Sequence, residues 1–134
     1  MPTAQTCVIT PTTLPNYQEM GNVLKVSFRW TSTDAGVVVG AVTPYKIRGG
    51  PLLWFDAIPD PTTTTPTAGY LFTVKNESGA DILGGLGVGS STATAAVHKG
   101  FSDGLGGCKD STLTFAGSGM GDAKGGLLDL YFPA

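Results

Sequence analysis

Length, composition and charge define the class of this chain. It has 134 residues, of which 41% are hydrophobic and 13% are charged, and its formal net charge is −2. A chain of about 100–150 residues buries enough apolar surface for one core, so we expect a single soluble domain rather than a disordered linker. No apolar run approaches the ~20 residues that a membrane-spanning helix needs, so we expect no membrane partner.

The eight basic residues lie scattered along the chain and form no stripe. A stripe of Lys and Arg is what neutralises a phosphate backbone, so we expect no nucleic-acid partner. A surface with so few charges is poorly suited to a free monomer at high concentration. It is better suited to being covered by neighbouring molecules.

The first 16 residues are rich in Thr and Pro. They lack the basic start, the continuous apolar run and the cleavage site of a secretory signal, so we expect the protein to stay in the compartment where it is made. Residues 7–10 could add a short strand, but the segment has no core-forming periodicity. We therefore expect an extended N-terminal arm over residues 1–16 and one domain over residues 17–134.

Residues 22–31 alternate strictly between apolar and polar side chains. One face carries the apolar residues Leu24, Val26, Phe28 and Trp30. This period of two predicts a half-buried antiparallel strand. Further apolar runs predict strands at residues 37–42, 52–58, 70–74, 94–97, 112–115 and 127–132. Seven or eight strands without a helical period predict an all-β fold, an antiparallel β-sandwich or jelly-roll with under about a tenth of its residues in helix.

Turn-forming residues separate these strands. Segments 33–36 (TDAG) and 77–81 (ESGAD) are typical of hairpin connections, because Asp, Ser and Gly tolerate turn geometry. Residues 59–66 alternate Pro with Thr and predict a stiff, extended loop. Two glycine-dense segments, 84–89 and 100–107, predict loops or bulges where backbones approach closely, since no helix follows them to bind a phosphate.

Residue types used in hydrolysis occur, but in no recognisable pattern. The one histidine, His98, could act with Asp103 and a serine, and the candidate serines are Ser90, Ser91 and Ser102. The Gly-x-Ser-x-Gly turn that exposes a nucleophilic serine is missing. We therefore interpret His98 as a residue at a strand end and expect no catalytic residues.

Metal and carboxylate sites are equally weak in the sequence. Glu19 and Glu77 lie in turn-rich segments, which does not favour the paired carboxylates of a glycosidase. Asn76, Glu77 and Asp81 form a loose cluster without the bidentate terminal Glu of a calcium loop. One histidine and two distant cysteines cannot build the usual zinc set. We expect no enzyme activity, no metal and no cofactor.

The two cysteines, Cys7 and Cys108, match no metal-binding spacing. We interpret them as separate thiols that behave as small apolar residues. A disulfide between them is the alternative, and it would require an oxidising compartment.

Aromatic side chains could offer a platform for a sugar. The candidates are Trp30, Trp54, Tyr17, Tyr45, Tyr70 and Tyr131. Trp30 continues the apolar face of its strand, and Trp54 lies inside an apolar run. Core or interface packing is therefore the favoured interpretation of both, and a non-catalytic carbohydrate-binding β-sandwich is the alternative.

Three stretches, 24–40, 66–89 and 111–132, resemble a family of small structural proteins of tailed-bacteriophage virions. The shared elements are short strand ends and turns. They fall on Trp30, Thr31, Ser32, Pro66, Thr67, Tyr70, Gly79, Asp81, Ile82, Leu83, Gly85, Ala123, Lys124 and Gly125. The chain departs from the family pattern at residues 97–108.

The resemblance implies a virion part, most plausibly a capsid decoration or cement protein that binds the major capsid protein. It implies a homotrimer, a location in the virion and assembly in the host cytoplasm. It implies no catalytic residues. A tail or head-to-tail connector component is the next expectation. The extended arm and long loops suit lattice contacts, because segments that order on docking can wrap a neighbour.

Overall fold

The computed structural model describes residues 5–16, 21–61, 64–90 and 95–133, and for residues 48–50, 101 and 107–109 it describes the backbone. Strand accounts for 52% of the fold and helix for 3%. The strands are β1 Thr6–Leu14, β2 Val23–Thr31, β3 Val38–Val42, β4 Ile47–Pro51, β5 Trp54–Pro59, β6 Leu71–Lys75, β7 Val97–Gly100, β8 Gly107–Ser111, β9 Thr114–Ser118 and β10 Gly125–Pro133. A 3₁₀ turn covers Phe101–Asp103.

The strands form an all-β sandwich. The large sheet has the order β1-β2-β10-β5-β7, the small sheet has the order β3-β9-β6, and β4 pairs with β8. Every pairing between these strands is antiparallel. The predicted fold class is therefore confirmed. In the described part of the chain, no helix is long and apolar enough to cross a membrane.

Strand β2 shows how the core forms. Its alternation turns Val26, Phe28 and Trp30 into the sandwich, where each is at most 2% exposed, and leaves Leu24 partly buried. The Phe28 ring stacks on Phe115 of the small sheet at a centroid distance of 5.7 Å. Contacts of this kind between aromatic rings join the two sheets across the core.

The sequence predicted eight of the ten strands within a few residues of their observed bounds. It missed β4 (IRGGP) and β8 (GCKDS), which pair only with each other. Their Gly, Pro and charged residues have low strand propensity, so their extended form depends on mutual pairing that a local pattern cannot reveal. Residue 94 of the predicted strand at 94–97 lies outside the described residues.

The N-terminal segment is extended, and most of it belongs to the sheet. Thr6–Leu14 forms β1, which pairs with β2 over nine consecutive residues. Cys7 and Ile9 pack against the core, whereas the polar Thr residues point outward. The short strand predicted at residues 7–10 underestimated its length, because an edge strand buries only part of one face and its Thr and Pro residues give no apolar alternation. The segment thus differs from an arm that orders on docking.

The glycine-dense segment 84–89 brings backbones into close contact, as expected. A Cβ atom at Gly87 would lie 2.0 Å from the carbonyl oxygen of Phe72, and one at Gly89 would lie 2.3 Å from the ring of Tyr70. Gly84 meets the carbonyl of Gly104 from the second glycine-dense segment in the same way. Any larger side chain would force these backbones apart.

We expect Phe28→Ala to lower the free energy of unfolding by ~3–5 kcal/mol, because the ring is fully buried and its removal leaves a cavity. Arg29→Ala is the control, since that side chain is 60% exposed and its loss costs under about 1 kcal/mol. Denaturant unfolding measures both. Equal losses would show that the β2 faces are assigned wrongly.

Deletion of residues 1–16 removes β1 and uncovers the apolar groups that it covers. We expect a loss of at least ~2 kcal/mol in unfolding free energy, because Cys7, Ile9 and Leu14 are each partly buried. Deletion of residues 1–4 is the matched control and leaves β1 intact. An unchanged melting midpoint after the longer deletion would contradict the placement of β1 in the sheet.

Candidate functional site

A row of polar side chains crosses the outer face of the large sheet. The strand registers align Ser27 of β2, Asp129 of β10, Asp56 of β5 and His98 of β7. The Ser27 hydroxyl donates a hydrogen bond to Asp129 Oδ1 at 2.6 Å, and His98 Nδ1 lies 2.5 Å from Asp56 Oδ1. Asp129 is only 5% exposed, because it lies in the middle of the sheet.

This row does not place a base beside its serine. Ser27 and His98 lie on strands three positions apart, which at about 4.8 Å per strand separates them by ~14 Å. A histidine must be within hydrogen-bond reach to accept a serine proton. The carboxylate of Asp129 therefore holds the Ser27 hydroxyl, and Asp56 pairs with His98 near the sheet edge.

Among the described residues, the triad considered in the sequence is not assembled. His98 pairs with Asp56 rather than with Asp103, whose carboxylate accepts the backbone N–H of Gly100 at the 3₁₀ turn. Ser102 is exposed on that turn, and residue 91 lies outside the described residues. The Asp56–His98 pair was not predictable from the sequence, because it depends on the register between β5 and β7.

The cluster considered for calcium serves the backbone instead. The Asn76 side chain accepts the backbone N–H groups of Ser78 and Ala80 and so closes the turn after β6. Each Asp81 oxygen also accepts backbone N–H groups, which come from Val74, Leu83 and Gly85. Across the described ranges, no three His, Cys, Asp or Glu side chains group together in a way that could hold a metal ion.

Most of the aromatic candidates are buried. Trp30 and Tyr70 pack against each other in the core at a centroid distance of 5.5 Å, and burial raises the pKa of Tyr70 to about 12. Trp54 is partly buried and stacks on the buried Tyr131 at 4.7 Å. Tyr45 is partly buried, and residue 17 lies outside the described residues. These rings therefore stabilise the fold, and no broad exposed platform forms among them.

The exposed apolar side chains concentrate on the small sheet. Of the six large ones in the described chain, Val39 and Val42 lie on β3, Leu71 lies on β6, and Val88 bridges to Leu71. Val39 is 68% exposed and Leu71 is 53% exposed. Leu71 and Val88 therefore form one exposed apolar pair at one end of β6, and Val42 lies level with Lys75 at the other end of the sheet.

We call the outward side of this sheet the small-sheet face. It comprises Val42, Leu71, Thr73, Lys75, Thr114, Ala116 and Ser118. Its strands enclose a shallow depression of about 300 Å³ lined by Leu71, Phe72, Thr73, Ala116, Gly117 and Ser118. Lys75 is the one charged member, so the face can lose water at small electrostatic cost.

The outer face of the large sheet has the opposite character. Besides the His98–Asp56 pair, Arg29 forms an ion pair with Asp60 at 3.0 Å. The two outer surfaces of the sandwich therefore differ, one with paired charges and one nearly uncharged. The sequence contained a signal for the nearly uncharged surface. Leu71 and Phe72 are adjacent apolar residues of one strand, and adjacent side chains point to opposite faces of a sheet, so only one of them can face the core.

Comparisons with protein-family models, with curated proteins and with solved structures find no match for this chain.

Cys7 is a free thiol that is partly buried on β1, and this burial raises the pKa of the thiol to about 11. At pH 8 we expect a Cys108→Ser variant to react with iodoacetamide roughly ten to a hundred times more slowly when folded than in denaturant, because the thiolate is the reactive form. A mass-spectrometric time course measures both rates. Equal rates would contradict the burial of Cys7.

Proposed function

We propose that this protein is a non-enzymatic structural component of a bacteriophage virion, a capsid decoration (cement) protein that binds the major capsid protein and stabilises the head lattice. The observation that carries the proposal is the low charge of the small-sheet face, whose one charged residue is Lys75 and on which Leu71 and Val42 are exposed apolar side chains. The resemblance of three long stretches to small phage virion proteins supplies the identity of the partner.

The small-sheet face is the proposed lattice contact. A sheet surface of Leu, Val, Ala, Thr and Ser can contact a second protein without burying unpaired charged groups. Because Thr6–Leu14 forms a sheet strand, the N-terminal segment does not act as a free arm in this proposal. The loops at the ends of the small sheet extend the contact.

A homotrimer is the proposed form on the capsid, located in the virion and assembled in the host cytoplasm. A trimer closes by cyclic symmetry and presents three copies of one contact. After the first copy docks, the second and third bind at high effective concentration, so three weak contacts give firm attachment. This arrangement suits a face without charged anchors.

Two other functions remain as alternatives to this proposal. A tail or head-to-tail connector protein would use the same face against a different virion partner. A carbohydrate-binding sandwich would use Trp54, the partly buried indole on the large sheet. Neighbouring genes separate these classes, since a major capsid, portal or terminase gene favours a virion part and a glycosidase gene favours a sugar binder.

We expect Leu71→Asp to weaken binding to undecorated heads by at least about tenfold, because docking would bury an unpaired charge. The heads are those formed by the major capsid protein encoded beside this chain, and co-sedimentation measures occupancy. Ile58→Asp is the matched control, with the same charge change at a 39% exposed apolar residue of the large sheet.

Three results are decisive for this proposal. Binding by the full-length chain and the control, with loss in Leu71→Asp, supports lattice contact through the small-sheet face. Equal binding by both variants would remove that face from the mechanism. No binding by the full-length chain would overturn the decoration role and favour a tail or connector location.

A further inference from the structure

Strand β1 lies at the edge of the large sheet, and the orientation of its backbone follows from two hydrogen bonds. Ser32 N–H donates to the carbonyl of Lys124 at 2.7 Å, and Asp60 N–H donates to the carbonyl of Gly125 at 3.1 Å. The backbone N–H and carbonyl groups of even-numbered β10 residues therefore point towards β2, and those of odd-numbered residues point towards β5. In β2 the backbone groups of even-numbered residues point towards β10. Those of odd-numbered residues therefore form the hydrogen bonds to β1.

The register between β1 and β2 then decides which β1 groups remain open. It pairs odd-numbered β2 residues with even-numbered β1 residues, so Thr6, Val8, Thr10, Thr12 and Leu14 bond β2. The backbone groups of Cys7, Ile9 and Thr13 point away from the sheet, as does the carbonyl of Pro11. Pro11 agrees independently with this assignment, because a residue without an N–H is tolerated where that position faces away from the ladder.

The other edges of the two larger sheets, which are β3, β6 and β7, are protected. The backbone N–H and carbonyl of Val39 on β3 are bonded by the side-chain amide of Gln5, at 2.6 and 2.8 Å. Residues 81 and 88 form bridges to β6 and cover its free side. Strand β7 has only four residues, including His98 and Lys99. Short strands, charges and covering groups are how proteins prevent edge pairing.

Strand β1 lacks a covering group and charged residues and is not short, and Pro11 is the one edge-blocking residue that it carries. It is nine residues long and carries no charged side chain. Val8 on its outer face is 61% exposed. A long, uncharged edge strand with open N–H and carbonyl groups is a template for another strand.

We propose that β1 pairs antiparallel with β1 of a second copy of this chain, across a two-fold axis at Thr10. In this register Cys7 faces Thr13 of the second copy and Ile9 faces its Pro11. The outward backbone groups then form about six hydrogen bonds, since each Pro11 contributes a carbonyl but no N–H. The absence of charge matters here, because a two-fold axis places identical residues near each other and any charge would be repelled by its own copy.

The proposed pairing joins two large sheets into one continuous sheet. It concerns the isolated chain and does not rest on the proposed function. If the chain forms a trimer, the same contact joins two trimers. Loss of the contact therefore halves the mass of the assembly, whether the assembly is a dimer of single chains or a pair of trimers.

The first test is the mass of the full chain by sedimentation equilibrium, from micromolar to millimolar concentration. We expect a mass that is an even multiple of 13.7 kDa and falls by half on dilution. Thr13→Pro should weaken this association by at least tenfold, because it removes an outward N–H and leaves the β2 ladder intact. Thr13→Ser, which keeps the N–H, should associate like the original chain. A monomer at every concentration, or equal association of the proline and serine variants, would overturn the proposal.

The second test concerns the register and includes variants that differ only in charge. Thr10→Lys and Thr10→Glu each place like charges opposite each other at the axis, so each alone should associate several-fold more weakly, and an equimolar mixture should recover the association. Amide hydrogen exchange of the unmodified chain gives a readout without mutation. On raising the concentration, exchange should slow at Cys7, Ile9 and Thr13 and not at Val8, Thr10 and Thr12. Failure of the mixture to recover, or slowing at the even-numbered amides instead, would contradict the pairing.

Discussion

The pairing of β2 with β10 is the constraint on which the rest of the structure depends. It joins Val23–Thr31 to Gly125–Pro133 in one unbroken antiparallel register, across about a hundred residues of chain. These two strands are the second and third of the large sheet, so β1 is placed by β2 and β5 is placed by β10. A slip of one residue would turn every apolar side chain of a strand to the opposite face.

Three features follow from that one register. Phe28 and Trp30 turn inward and meet the aromatic rings of the small sheet, which fixes the core. Ser27 turns outward beside Asp129, which starts the polar row of the large sheet. The same alternation sends every second backbone group of β1 toward the open edge. Core, polar row and edge are therefore linked, and none can change alone.

The division of the surface has a physical origin as well. The large sheet presents polar and charged groups on its outer side, such as Arg29, which forms an ion pair with Asp60, and His98, which contacts Asp56. The small sheet presents Leu71, Val42 and their neighbours with almost no charge. An antiparallel sandwich has two such outer faces, and unequal faces give the molecule a preferred side for contact.

Much of the fold was predictable from the sequence, because alternation along a strand is local. The run from Leu24 to Trp30 identified both β2 and its buried face. The strands β4 and β8 were not predictable, since Gly and Pro make up most of β4, β8 carries Gly and two charged residues, and the two strands pair with each other. The nature of the N-terminal segment was missed for a similar reason: its Thr residues bond β2 through the backbone, which leaves no mark in the side-chain pattern.

The polar row was beyond sequence reasoning, because Ser27, Asp56, His98 and Asp129 lie far apart in the chain and meet only through three strand registers. The small-sheet face was partly visible, since the adjacent pair Leu71 and Phe72 in one strand requires one of them to face outward. What the sequence could not supply was the placement of Val42 of β3 and Leu71 of β6 on the same face of one sheet. That placement depends on their common neighbour β9.

The most direct measurement of the β2–β10 register is the set of nuclear Overhauser contacts between Hα protons across the two strands. In antiparallel sheets these protons approach closely at the pairs that do not exchange backbone hydrogen bonds. We expect strong contacts between Ser27 and Asp129 and between Lys25 and Tyr131, and weak ones between Phe28 and Leu128. Strong contacts shifted to Phe28 and Leu128 would contradict the register, and with it the core, the polar row and the open edge.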